Sequence, residues 1–156
     1  MGEENLGGYE LFVLMGLGFR NFIDDLQSRL TESGFEDVRP GHGFAFQLLS
    51  FKNASVNELA EHLGVTKQAA SQMVEYLEGH GYVVSQPDPK DRRIKVVALT
   101  ARGWACIQKT EEILSAQEEK LAGELGEASM TELRGLLRRV VYRQQGEKSL
   151  RLRPIW

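Results

Sequence analysis

Residues 55–100 read SVNELAEHLGVTKQAASQMVEYLEGHGYVVSQPDPKDRRIKVVALT, and the first half spells two helices. Ser55 and Glu58 stand at capping-box spacing: the serine oxygen accepts from the amide three residues on, and the glutamate reaches back to the serine amide. Leu59, Ala60 and Leu63 follow at helical spacing as a buried face, and Gly64 ends the helix. Val65 fills a short turn, and Thr66 is a good N-cap for a second helix. In that helix Ala70, Met73, Val74 and Leu77 recur at three- and four-residue steps, while Lys67, Gln68, Ser71, Gln72 and Glu75 lie away from them. Its end is expected near Gly79 and Gly81.

The second half reads as a hairpin. Tyr82, Val83 and Val84 start a strand, Pro87 to Asp91 supplies turn chemistry, and Lys95 to Leu99 returns. The tip carries Lys90, Arg92 and Arg93; Asp91 is expected to pair with an arginine and fix the tip's shape. Two capped helices followed by such a hairpin predict a winged helix-turn-helix, which places one helix in the major groove of DNA and a basic loop beside it. The side chains suit that use. Glutamine pairs bidentately with adenine, serine with several bases, and lysine reaches guanine or phosphate. Arginine on a protruding ribbon fits a minor groove or a phosphate pair. A plain solvated helix face and a charged solubility hairpin are the bland alternatives.

The runs Ser55 to Thr66, Leu77 to Val83 and Asp88 to Gly103 resemble the MarR (multiple antibiotic resistance regulator) family of bacterial transcription factors. The most specific part is Asp88-x-x-Asp91-Arg92-Arg93 followed by Leu99-Thr100-x-x-Gly103. The resemblance covers about residues 55–103 closely and the flanking helices in order and length. It implies an obligate dimer on a pseudo-palindromic operator, often answering to a small phenolic or lipophilic effector. It sets Lys67, Gln68, Ser71 and Gln72 where the family reads bases, and Arg92 and Arg93 where its wing grips the minor groove. Ser55 would approach phosphate through its amide, and Thr66 and Lys90 complete the expected DNA-facing set.

Charge argues the other way. The chain carries a net charge of −3, and residues 55–100 hold five basic side chains against six acidic ones. Affinity for double-stranded DNA must therefore come from local placement of cations, with the acids turned away or neutralised. The single cysteine, Cys106, excludes an internal disulfide and fits a reducing compartment. The acidic start Met1-Gly2-Glu3-Glu4 is unlike a secretory leader, and the apolar run Leu11 to Phe19 is too short for a bilayer, so a cytoplasmic chain without a membrane partner is expected.

The flanks read as dimerisation helices around one domain: residues 9–51 before the winged region 52–99, residues 100–145 after it, and a tail at 146–156. The overall expectation is a mostly α fold with a small β-wing. Tyr9 to Ser33 places Leu11, Leu14, Met15, Phe19, Ile23, Leu26 and Leu30 on one stripe, and a shorter helix should span Gly43 to Phe51. Thr100 caps a long helix with Ile107, Leu114 and Leu121 repeating every seven residues, flanked by Trp104 and Leu125. Ser129 and Glu132 suggest a further capping box. Behind it Met130, Leu133, Leu136, Leu137, Val140 and Val141 share a face opposite Arg134, Arg138, Arg139 and Arg143. These stripes exceed what one small domain needs to cover, which predicts interlocked helices from two chains.

His42, His62 and His80 are not at metal-ligand spacing, and no nucleophile–base pair or carboxylate dyad stands out, so neither a metal, a cofactor nor an enzyme is expected. Cys106 reads as a buried structural thiol. Phe22, His42, Phe46 and Trp104 are candidates for a ligand crevice where the flanking helices meet the winged region. The sequence thus points to a ligand-responsive, homodimeric DNA-binding repressor. The acidic balance keeps open a winged module that docks protein, and an enzyme or carrier using the crevice is a more distant third.

Overall fold

Gly64 takes the left-handed conformation (φ +69°), and this bend turns α3 (Val56–Leu63) into α4 (Lys67–Gly79). The computed structural model describes residues 7–143. Both capping expectations are met: Ser55 Oγ accepts from Glu58 N at 3.2 Å while Ser55 N donates to Glu58 Oε2 at 2.8 Å, and Thr66 Oγ1 accepts from Ala69 N at 3.1 Å. Beyond α4, Gly81 (φ +79°) redirects the chain into β1 (Val83–Pro87), which pairs antiparallel with β2 (Lys95–Leu99) in the register Val83↔Leu99 to Pro87↔Lys95. Pro87 is tolerated because it closes its strand. Ala54 adds a bridge to Val97, so the link before α3 rests on the wing sheet.

Ahead of this unit run α1 (Glu10–Glu32), preceded by a short 3-10 turn at Gly7–Tyr9, and α2 (Pro40–Phe51); behind it come α5 (Ala101–Leu125) and α6 (Glu127–Tyr142). The fold is mostly α with a two-stranded wing. Two boundaries differ from the sequence reading. α2 starts three residues before Gly43, because Pro40 is preorganised for the first turn and His42 Nδ1 accepts from Arg39 N at 3.0 Å. No box forms at Ser129: Gly126 (φ +88°) already breaks the chain, and Ser129 lies inside α6.

The core lies beneath α4, where Leu59, Leu77, Tyr82, Val83, Val97 and Cys106 are fully buried and Phe44, Phe46 and Leu49 of α2 close over them. Leu30 of α1 and Ile113 of α5 extend it toward the flanking helices. On α5 the buried stripe is Gly103, Cys106, Ile113, Gln117 and Ala122; the seven-residue series is offset from it, with Leu114, Trp104 and Leu125 exposed. α1 buries Leu30 but leaves Leu11, Phe12, Leu14, Met15 and Leu17 exposed, as is Tyr9 just before it. On α6 only Met130 is buried, and Leu133, Leu136, Leu137, Val140 and Val141 face outward. Among the described residues nothing covers these stripes, and contiguous exposed apolar faces of this kind mark interaction surfaces. Among the described residues no helix is long and apolar enough to cross a membrane. The expected tail at 146–156 lies outside the described residues.

Candidate nucleic-acid interface

α4 buries Ala70, Val74 and Leu77 and thereby turns its other side outward. Lys67, Gln68 and Gln72 are exposed and Ser71 is half-buried at the edge of the same face. Thr66 is exposed too, but its hydroxyl is engaged as the cap. Ser55 is placed differently from expectation. Its amide is occupied by the Glu58 carboxylate, which Lys52 Nζ also grips at 2.5 Å, so that amide is not free for phosphate. The cation that the structure sets at this corner is Lys52, missed in the sequence because its partner lies six residues on. The Lys52 contact and the Ser55 amide hold Glu58 below the usual carboxylate range.

At the wing tip Asp91 pairs with Arg93. Arg93 Nε donates to Oδ1 at 3.0 Å, Nη2 to Oδ2 at 2.9 Å, and the Arg93 amide to Oδ1 at 3.1 Å. The guanidinium beside it depresses the Asp91 carboxyl and is itself raised. The Arg93 side chain stays 90% exposed, oriented rather than hidden. Asp88 accepts from Lys90 N at 2.8 Å and closes the turn. Lys67, Lys90 and Arg92 are exposed and form no ion pair among the described residues.

The acids now have an account. Glu58 closes a cap, Glu78 Oε1 accepts from Ser85 N at 2.8 Å, and Asp88 and Asp91 shape the tip. Of the six acids, Glu61 and Glu75 are the exposed ones with no such duty shown. Lys52 offsets Glu58 and Arg93 offsets Asp91, while the other carboxylates keep their charge.

The four crevice candidates do not share one environment. Phe46 is a core residue, 4% exposed, its ring 5.8 Å from Tyr82. His42 is buried as the back-bonding residue of α2, and burial takes its imidazole down to about 4. Phe22 lies half-buried where its carbonyl accepts from Gln117 Nε2 at 3.1 Å, and Trp104 is exposed on α5. Cys106 is fully buried, which pushes its thiol up to about 11 against the pull of Arg102. Among the described residues no cluster of His, Cys, Asp and Glu could hold a metal.

One constellation escaped the sequence reading. Asp37, in the α1–α2 loop, accepts a hydrogen bond from the Tyr82 hydroxyl and faces Arg102 of α5 at 3.5 Å. Arg102 Nη2 also donates to Tyr82 Oη at 2.9 Å and to Gly34 O at 3.2 Å, with its guanidinium 4.6 Å from the Tyr82 ring centroid and 5.4 Å from that of Phe35. From α4, Tyr76 Oη donates to Asp37 O at 2.8 Å. Burial raises the Asp37 carboxyl, but Tyr82, its own backbone and Arg102 outweigh that and leave it low.

The MarR family profile matches residues 42–94. A Thauera aromatica protein named as a transcriptional regulator for the hcr operon is 29% identical over 119 residues, 76% of this chain and 71% of that one. The transcriptional regulator Tm0710 of Thermotoga maritima is 26% identical, with TM-score 0.65 over 88% of this chain and 96% of the other. The repressor CouR on a 23-mer DNA duplex superposes with TM-score 0.65 at 22% identity, over 90% and 98% of the two chains. CouR of Rhodococcus jostii RHA1 with p-coumaroyl-CoA gives 0.62 at 18%, over 85% and 92%.

Proposed function

We propose that the chain, whose residues 42–94 match the MarR family profile and which resembles a transcriptional regulator over 76% of its length, works as a homodimeric, ligand-responsive repressor on a pseudo-palindromic operator. One observation carries the reading. The outward face of α4 (Lys67, Gln68, Ser71, Gln72) stands with an arginine-tipped wing, while the apolar faces of α1 and α6 are left uncovered by the described residues. Covering those faces with a second copy turns two recognition helices toward one side of a duplex, with half-sites roughly 34–36 Å apart. Base choice then belongs to Gln68, Gln72 and Ser71. Backbone grip belongs to Lys67 and Lys90, and the minor groove to Arg92 and Arg93, the latter oriented by Asp91. Thr66 serves as the cap that holds the helix start.

An effector acts by binding one spacing of the two helices better than the other, and shifts the equilibrium by that difference only. The CouR structure with p-coumaroyl-CoA supports an aromatic effector class for the fold. Phe22 and Trp104 remain the candidates for its site; His42 and Phe46 would act from behind, through packing.

Sedimentation and gel shift test the proposal together. The wild type should sediment as a dimer and shift a duplex from upstream of its own gene. Leu136→Glu with Val140→Glu should give monomers that lose the shift. A stable dimer that shifts no such duplex at low salt would instead favour a protein-docking winged module.

A further inference from the structure

The contacts around Asp37 bring four parts of the fold to one point. The α1–α2 loop supplies Gly34, Phe35 and Asp37, α4 supplies Tyr76, the start of the wing supplies Tyr82, and α5 supplies Arg102. The loop belongs to the flanking helices, while Tyr76 and Tyr82 bracket the end of α4 and Arg102 stands at the start of α5. The α5 start is itself clamped to the turn after α4: Thr100 N donates to Tyr82 O at 3.0 Å, and a Cβ on Gly103 would lie 2.3 Å from that same oxygen. These contacts join the turn after α4 to the start of α5. Arg102 links this corner to the loop after α1 through Asp37 and Gly34, with the Tyr76 hydroxyl on the same loop, while Gln117 joins α5 to α1 separately at Phe22 and Asp25.

We infer that Asp37 and Arg102 are positioning residues for DNA reading: their pair, bridged by the Tyr82 hydroxyl, sets where α4 stands relative to α1. This rests on the DNA-binding role proposed above. The Arg102 side chain is 41% exposed and that of Asp37 19%, so the link is partly open to solvent and can be altered without emptying the core. Arg102→Met keeps an unbranched stem against the Phe35 and Tyr82 rings while removing the ion pair and both hydrogen bonds. Asp37→Asn removes the charge from the other side. A pair that acts as a unit makes the double variant no worse than either single one.

Two readouts separate positioning from mere stability. The first is the distance between spin labels on Asn21→Cys of α1 and Glu75→Cys of α4, both exposed sites, with Cys106 left in place because it is fully buried. With labelled chains diluted in excess unlabelled protein, so that each dimer carries one labelled protomer, the otherwise unaltered chain should give one narrow distribution, and each single variant a shifted or broadened one. The second is affinity for the upstream duplex, with the salt slope recorded. Affinity should fall about tenfold, the coupling typical of linked sites, and the slope should stay, since no phosphate contact is removed. Arg102→Lys, which keeps the charge, should recover most of both. An unchanged distance distribution in folded Arg102→Met overturns the inference, as does a double variant whose losses add. If the wild type binds no duplex, the DNA reading fails, while the distance measurement still decides the positioning claim.

Discussion

Arg93→Ala is the sharpest probe of the wing. Arg93 is a nearly fully exposed cation aimed by a bidentate pair with Asp91. On B-DNA each neutralised phosphate contributes about 0.9 to the slope of log affinity against log salt. In a dimer the substitution removes two such charges, so the slope should flatten by about 1.8. Between about 50 and about 200 mM salt that difference amounts to a factor of roughly twelve. The variant's deficit against wild type should therefore be largest at low salt and shrink about twelvefold over that range. The substitution also strips Asp91 of its counter-charge beside the phosphates, so Asp91→Asn combined with Arg93→Ala should bind more tightly than Arg93→Ala alone. Fluorescence anisotropy with the upstream duplex at several salt concentrations measures all three proteins. A slope equal to wild type would refute the argument; a change of only about 0.9 would mean that one wing, not two, touches DNA.

Other outcomes follow from single observations. Gln68→Ala should change preference at one base position by about 1–3 kcal/mol while leaving the salt slope intact, read by competition among operator variants. His42 stays neutral when folded down to about 4, whereas an unfolded histidine takes up its proton near 6.5. The unfolded chain therefore binds more protons between these values: stability is full above about 6.5 and falls by about 3 kcal/mol as pH drops toward 4. Urea titrations across that range should show the slope, and His42→Gln, which retains an acceptor for the Arg39 amide, should lose it. Gly103→Ala would place a methyl 2.3 Å from the Tyr82 carbonyl and 2.9 Å from Leu99 Cδ2. Overpacking of about 3 kcal/mol should appear as a lowered Tm, and an unchanged Tm would mean that the α5–wing corner gives way easily.

Much of the winged unit was legible because its signals are local. The Ser55–Glu58 box, the Gly64 stop and the Thr66 cap each act within a few residues, and all three are found as read. The Asp91–Arg93 pair spans two residues and was legible for the same reason, though which arginine it takes was not. Ser129 and Glu132 had the spacing of a box, yet Gly126 broke the chain first; spacing alone does not say which of two adjacent signals wins. On α5 the seven-residue apolar series suggested one seam, but the side that faces the chain's own core runs through Cys106, Ile113 and Gln117. A helix with apolar residues on two sides leaves open which side is used at home.

By itself the sequence determined the helix-turn-helix, the wing and the polar face that α4 offers, since capping and periodicity operate along the backbone over a turn or two. Only the tertiary structure decided that Asp37 meets Tyr82 and Arg102, residues 45 and 65 positions further on, and that Phe46 and His42 lie within the packing rather than in an open crevice. Such meetings depend on how loops close and helices cross, and no local pattern along a chain encodes which distant side chain will arrive.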